Sequence, residues 1–282
     1  MTSRIAFQLG PLTIYWYGVF VALGFLGGMI LMQYLARRQG YAAEKIPDIV
    51  VAALLGGLVG ARLFFVVSNW DHFKQYPGEI IRIDHGGLVF YGGFFGAATA
   101  LLVFCRIAKL DAWRIADLTA FGLPLGQAFG RIGCFINGCC FGKPTDSLLA
   151  ITYHVPPHES VFQTQAEQHL INADMLVKLG KEGGGFVCLP VSPVQLYLAL
   201  ANLAILGLLL ALLGRRRQWP PGLYFALFLA LYAVARFSLE FLRGDYLHLH
   251  HGLTIAQVIC LLLMPIALGL IWLRRPRRMA PA

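Results

Sequence analysis

Of the 282 residues, 58% are hydrophobic and only 13% are charged, and the mean hydropathy is +0.66. Soluble domains are nearer one quarter charged, so the composition excludes an ordinary soluble enzyme and identifies an integral membrane protein. The formal net charge of +9 is a topology signal before it is a partner signal; a nucleic-acid partner is excluded, because the basic residues sit in short clusters between apolar spans.

Seven apolar segments approach the roughly 20 residues that cross a bilayer. In chain order they run from about Ile14 to Ala36, Pro47 to Val67, Leu88 to Ile107, Trp113 to Ile136, Val194 to Leu213, Leu223 to Leu242 and Leu253 to Leu273. Met1 to Leu12 lacks a basic stretch followed by a cleavage site, so the first segment reads as a span rather than a removable signal peptide. The fourth is expected to be broken by Pro124 and by the glycines near its end. No internal repeat is evident. The expected fold is all-α: a polytopic membrane protein with seven transmembrane helices around a central polar cavity.

Lysine and arginine counts orient the spans. Thirteen fall on the side holding Arg37, Arg106, Arg215 and Arg274, and seven on the other. The richer side marks the cytoplasm, which places the N-terminus outside and the C-terminus inside. Three arginines, Arg62, Arg131 and Arg236, lie within spans. The longest loop, 143–192, falls outside and reads as a small extracytoplasmic cap inserted between spans four and five.

The stretch Gly130-Arg131-Ile132-Gly133-Cys134-Phe135-Ile136-Asn137-Gly138-Cys139-Cys140-Phe141-Gly142 stands out at the end of the fourth segment. An arginine near the bilayer centre costs roughly 2.5–3.5 kcal/mol on insertion scales, and a buried anion or a wet cavity would offset that cost. The glycines weaken helix and let backbone approach a ligand. The stretch fits a polar pocket for an anionic group; a kinked helix with a snorkelling arginine is the plainer alternative.

In the sixth segment, Tyr232, Arg236, Glu240 and Arg243 are spaced to share one helical face, and a polar stripe on an apolar span faces the bundle interior. Arg236 and Glu240 form an internal pair, or Arg236 joins Arg131 on a phosphate, which a guanidinium grips bidentately; both can hold at once. The segment His85-Gly86-Gly87-Leu88-Val89-Phe90-Tyr91-Gly92-Gly93 enters the third span between two Gly-Gly pairs and is expected to have irregular backbone there. His85 is a candidate proton acceptor and Tyr91 a candidate hydrogen-bond donor to a lipid headgroup. Tyr15, Trp16 and Tyr17 suit an interfacial aromatic belt. Cys134, Cys139 and Cys140 lack the paired spacing of a zinc site, so no metal and no cofactor is expected. A disulfide from Cys188 to Cys139 or Cys140 is open.

Together these residues resemble the bacterial prolipoprotein diacylglyceryl transferases, over nearly the whole chain. The family signature Gly-Arg-x-Gly-Asn-Phe-x-Asn-x-Glu-x-x-Gly is matched at Gly130, Arg131, Gly133, Phe135, Asn137 and Gly142, with Cys134 and Cys139 in place of its first Asn and its Glu. Trp16-Tyr17-Gly18, Gly60-Ala61-Arg62, Gln195-Leu196-Tyr197 and Arg236 through Arg243 are further matches. The resemblance implies transfer of the diacylglyceryl group of phosphatidylglycerol to the lipobox cysteine of preprolipoproteins, in the bacterial inner membrane. Together with the residue readings above, it points to catalytic roles for Arg131, Arg236, His85, Tyr91 and Glu240. It implies substrate contacts for Tyr17, Arg62, Asp117, Asn137, Gly142, Gln195, Tyr197, Tyr232 and Arg243. The histidine usual in the family stands as Tyr91 here, which leaves His85, Glu240, Tyr91 or Asp117 as the general base. A non-catalytic protein that binds or moves anionic lipid with the same arginines is the alternative.

Overall fold

The computed structural model describes residues 5–10, 12–82, 86–155, 181–182, 185–215, 220–244 and 252–274. Seven long helices carry the chain: α1 (Trp16–Arg38), α2 (Ile46–Ser68), α4 (Phe90–Ile107), α5 (Ala112–Asn137), α6 (Val194–Arg215), α7 (Leu223–Glu240) and α8 (Ile255–Arg274), with a one-turn helix α3 (Trp70–Phe73) after α2. Among the described residues six of them are long and apolar enough by composition alone to cross a membrane. The exception is α5, whose Arg114, Asp117, Gln127 and Arg131 dilute its apolar residues. The other helices turn leucine, valine and phenylalanine outward; Leu55, Val59 and Leu63 on α2, for example, are exposed. An apolar surface of that extent is stable against lipid chains and not against water.

The expected break in the fourth segment does not occur. α5 is continuous through Pro124 to Asn137, so Arg131 and Gly133 sit on a regular helix. A proline removes one backbone donor, and inside a membrane bundle neighbouring groups tolerate that loss. The irregular backbone starts only after the helix, with left-handed φ of +68° at Gly138 and +59° at Cys140.

By its contacts the chain divides into two units, Met1–Gly28 with Thr119–Ala282, and Met29–Leu118. In the first, α1 meets α5 through small residues: a Cβ built on Gly24 would stand 2.9 Å from the Gly126 carbonyl, and one on Gly28 3.0 Å from that of Gly122. Backbones approach this closely in membranes because no bulkier side chain intervenes. Ahead of α1 an antiparallel hairpin, β1 (Ile5–Leu9) with β2 (Leu12–Tyr15), turns at Gly10; the sequence reading had not placed it. α7 packs against both α6 and α8.

The described parts of the 143–192 loop form a small sheet in the order β3 (His154–Val155), β5 (Gly185–Val187), β4 (Lys181–Glu182). Beneath it Phe141, Tyr153, Cys188 and Val191 make a buried apolar cluster. All six cysteines are free thiols, so the disulfide from Cys188 is not formed. Cys188 belongs to this cluster instead, and burial pushes its thiol up to about 11.

In the second unit α2 and α4 share a glycine seam. A Cβ on Gly60 would collide with the Gly92 carbonyl and lie 2.8 Å from Gly96 Cα. Gly92 and Gly93 are therefore helical packing residues rather than an irregular entry. The irregular pair is Gly86-Gly87, with φ of +79° and +76°.

Candidate functional site

The site in the first unit starts where α5 ends. Gly138 and Cys140 adopt left-handed backbone, which costs a non-glycine residue about 1–2 kcal/mol, and the chain doubles back beneath its own last turn. Cys139 N–H donates to the Cys134 carbonyl at 3.1 Å. The turn brings three thiols together: Cys134, Cys139 and Cys140 have Sγ atoms all within 4.8 Å of one another. Spacing in the sequence gave no hint of this, because the grouping comes from one left-handed turn and not from a regular repeat. Asn137, the last residue of α5, points its Nδ2 at Cys139 Sγ, 3.6 Å away. The Cys140 thiol is held below the usual thiol range. Hydrogen bonds from Cys134 and then Cys139 are the largest causes, and the Arg243 and Arg131 charges add to them against the opposing effect of burial.

Beyond the turn, three backbones converge on Gly142. Its N–H donates to the Ser192 carbonyl at 2.9 Å, Lys143 N–H donates to Leu242 O at 2.8 Å, and Gly244 N–H donates to Phe141 O at 3.1 Å. A Cβ on Gly142 would lie 2.5 Å from Ser192 O and 2.7 Å from Val194 Cγ2. Packing alone already requires a glycine at Gly142. Gln195 at the start of α6 is fully buried; its Nε2 donates to Cys139 O at 2.8 Å and reaches the Tyr153 hydroxyl at 3.3 Å. Gln195 holds the cysteine turn from behind. Tyr197 is half-buried about half a turn further into α6, and Leu198 after it is buried.

Arg236 and Glu240 lie inside, as the period of α7 required, while Arg243, expected on the same helical face, sits past the end of α7 in a backbone bridge with Gly142. Arg236, Glu240 and Arg243 are 8%, 1% and 4% exposed. Arg236 Nη1 stands 2.6 Å from Glu240 Oε2, and Arg243 Nη1 stands 3.7 Å from the same oxygen. Neither Arg236 Nη1 nor Glu240 Oε2 makes an aligned hydrogen bond, so the carboxylate acts as a point charge between two guanidiniums. Its other oxygen accepts from Thr254 Oγ1 at 3.0 Å. Thr254 N–H donates to Gln257 Oε1, and Gln257 N–H to Thr254 Oγ1, at 2.9 and 3.3 Å. This is a capping box at the head of α8. Thr254 and Gln257 were missed, although Thr-x-x-Gln before an apolar run is the signal that finds them. Tyr232 on the same helix stacks on Phe228, with ring centroids 5.7 Å apart.

Arg131 contrasts with Arg236. It is half-buried, and among the described residues no carboxylate pairs with it and no hydrogen bond occupies its guanidinium. It acts on Cys140, as does Arg243. Tyr17, at the first turn of α1, is within electrostatic reach of Arg131 and of the three thiols. Its ring and backbone lie over Gly133, where a Cβ would meet Tyr17 Cδ2 at 3.3 Å. Arg131, Arg243, Asn137, Tyr17 and the thiol trio thus form one neighbourhood, while Arg236 is engaged with Glu240.

The second unit holds Arg62, Tyr91 and Asp117. Arg62 was expected to line a polar cavity toward substrate. Its guanidinium is instead taken up by backbone: Nε donates to Ile80 O at 2.8 Å, Nη2 to Glu79 O at 2.6 Å, and Nη1 to Gly86 O and Gly87 O at 3.0 and 3.1 Å. Phe65 and Phe73 pack against its faces. Arg62 staples the loop after α3 in place and borders a cavity of about 180 Å³ with His72 and Glu79. Tyr91 lies in the first turn of α4 with its ring against Phe90, and Asp117 is half-buried on α5. His85 lies outside the described residues.

Comparison with known proteins bears on this arrangement. The family described as Prolipoprotein diacylglyceryl transferase matches residues 4–273. Three curated proteins named phosphatidylglycerol–prolipoprotein diacylglyceryl transferase illustrate the likeness. That of Acaryochloris marina is 33% identical over 98% of this chain and 92% of its own length. That of Bacillus velezensis is 31% identical over 97% and 92%, and that of Staphylococcus aureus (strain bovine RF122 / ET3-1) is 30% identical over 96% and 88%. The match covers all seven long helices and the cysteine turn, and the chain belongs to the prolipoprotein diacylglyceryl transferase family.

Proposed function

We infer that this multi-pass membrane protein transfers the diacylglyceryl group of phosphatidylglycerol to the lipobox cysteine thiol of a preprolipoprotein, the first step of lipoprotein maturation. The sulfur forms a thioether with the glyceryl carbon, the carbon–oxygen bond to phosphate breaks, and glycerol phosphate leaves with that electron pair. The observation that carries the reading is the family match from residue 4 to residue 273, which spans the whole site and not one motif.

Arg131 is the residue best suited to the leaving phosphate. Its donors have no partner among the described residues, and a guanidinium presents a planar fork to phosphate oxygens. Charge that grows on the leaving group is stabilised most by donors already in place. Arg236 and Glu240 support this from behind, fixing Arg243 through the shared carboxylate. The excess of lysine and arginine in the loops supports an N-terminus outside and a C-terminus in the cytoplasm, which would put the 143–192 cap on the side where secreted precursors arrive.

The test is incubation of the full chain, reconstituted in phosphatidylglycerol vesicles, with a lipobox peptide. The peptide should gain the mass of one diacylglyceryl group. Vesicles of another anionic lipid, or a peptide with Ser for its Cys, should give no product. An unmodified peptide with phosphatidylglycerol present would refute the reading.

A further inference from the structure

The family carries Asn and Glu where this chain has Cys134 and Cys139, and a third cysteine follows at Cys140. The structure gathers all three sulfurs within 4.8 Å. Resting on the transferase reading above, we propose that Cys134, Cys139 and Cys140 hold one zinc-class divalent cation as a tristhiolate site whose fourth position takes the lipobox thiolate.

Zinc–sulfur bonds of about 2.3 Å put the sulfurs of a tetrahedral site about 3.8 Å apart. The trio, all within 4.8 Å, is at most about 1 Å from that spacing. Borderline-soft thiolates select this class of metal over magnesium or calcium. Each cysteine is half-buried, which leaves a face for a further ligand; three protein ligands with an open position is the pattern of a catalytic zinc site, whereas structural sites are closed by four. The surroundings are those of a supporting shell. Asn137 Nδ2 points at Cys139 Sγ, and Gln195 fixes the Cys139 carbonyl at 2.8 Å. The left-handed φ of +59° at Cys140 is an unfavourable conformation for a residue with a side chain, and it directs that side chain back to the other two. Such outliers persist where function uses them.

Charge is consistent as well. Three thiolates and a divalent cation leave one net negative charge, and the substrate thiolate makes two. Arg131 and Arg243, both acting on Cys140, oppose them. Coordination deprotonates a thiol outright, so the lipobox cysteine would lose its proton to water on binding. Its sulfur would then attack the glyceryl carbon as the phosphate departs beside Arg131. The cation changes no oxidation state. This arrangement supplies thiol activation in a chain whose third span begins with Tyr91 where the family has histidine.

The experiment uses the full chain in detergent, stripped by a chelator under reductant and titrated with Co²⁺. One cobalt should bind per chain, with thiolate-to-cobalt charge-transfer absorption. Cys134→Ser and Cys139→Ser should each weaken binding by more than the roughly 10–100-fold of an outer-shell change, and Cys260→Ser should not. A lipobox peptide should shift the cobalt ligand-field bands while its Cys→Ser version does not, and Zn²⁺ should restore transfer to the stripped protein. Full transfer by stripped protein, absence of the charge-transfer band, or loss of two hydrogens by intact mass in place of metal uptake would each overturn the site. Cobalt bound without a peptide response would overturn the open fourth position. A stripped protein that transfers at full rate leaves the transferase reading standing. A cobalt-binding protein that fails to modify the peptide in phosphatidylglycerol, even with Zn²⁺, removes that reading and not the metal site.

Discussion

Arg236 and Glu240 lie one helical turn apart on α7 and meet at 2.6 Å between Nη1 and Oε2, both nearly sealed from solvent. Removing one member of a buried pair costs about 3–5 kcal/mol, because the other charge stays buried and unmatched. Here the carboxylate serves Arg243 as well. Glu240→Gln should therefore lower the unfolding midpoint in detergent markedly. The joint replacement Arg236→Met with Glu240→Leu should cost less than Glu240→Gln alone. Equal midpoints for parent and Glu240→Gln would show that the pair contributes nothing to the fold.

Arg131 has the opposite character, with its guanidinium uncommitted among the described residues. Arg131→Ala should leave the unfolding midpoint within about 0.5 kcal/mol of parent, as a change outside the packed core does. Transfer to a lipobox peptide should fall by about 10²–10³-fold, the usual loss when one donor to developing charge is removed. Arg131→Lys should recover part of it, since it keeps the charge and loses the fork. An alanine variant with parental turnover would place the phosphate elsewhere.

The signature glycines separate into two kinds. A Cβ on Gly142 would press on Ser192 O at 2.5 Å, while a Cβ on Gly130 would meet nothing within 4 Å. Gly142→Ala should reduce the yield of folded protein, because backbone on both sides must move. Gly130→Ala should fold like the parent, as judged by gel filtration and unfolding. A well-folded Gly142→Ala variant would contradict the three-backbone junction.

The sequence disclosed what depends on periodicity. Seven long helices fall where the apolar segments stood, and Arg236 and Glu240 are buried because 3.6-residue spacing puts them on one face of α7, whereas Arg243 lies past the helix end in a backbone bridge with Gly142. It misled where an element depends on distant backbone. Arg62 gave no sign of its four partners, carbonyls 17 to 25 residues on, because carbonyls carry no side-chain signature. The thiol trio escaped spacing rules because the left-handed turn at Gly138 and Cys140, not a helix or hairpin, makes it. Proline misled in α5, since Pro124 breaks helices in water more readily than inside a bundle.

Cys188 supplies a pH test of the cap. Burial raises its thiol from 9.0 to about 11, so the unfolded chain releases this proton at lower pH than the folded one. The contribution is fully present below pH 9 and is lost as pH rises through about 11. Its size is about 3 kcal/mol. Unfolding measured at about pH 8 and about pH 11 should show a smaller loss of stability in Cys188→Ala than in the parent. Identical losses would mean that the thiol is not sequestered.

The four carbonyls around Arg62 also set an order of events during synthesis. Arg62 emerges from the ribosome ahead of residues 79 to 87, so α2 enters the translocation machinery with a bare guanidinium near its end. A charge there is tolerated at first by reaching toward the interface. Only when the following loop is made can its carbonyls and the rings of Phe65 and Phe73 enclose it. The C-terminal part of α2 thus reaches its final state after the chain beyond α3 has emerged, and α4 inserts against a partner whose guanidinium donors have just been satisfied.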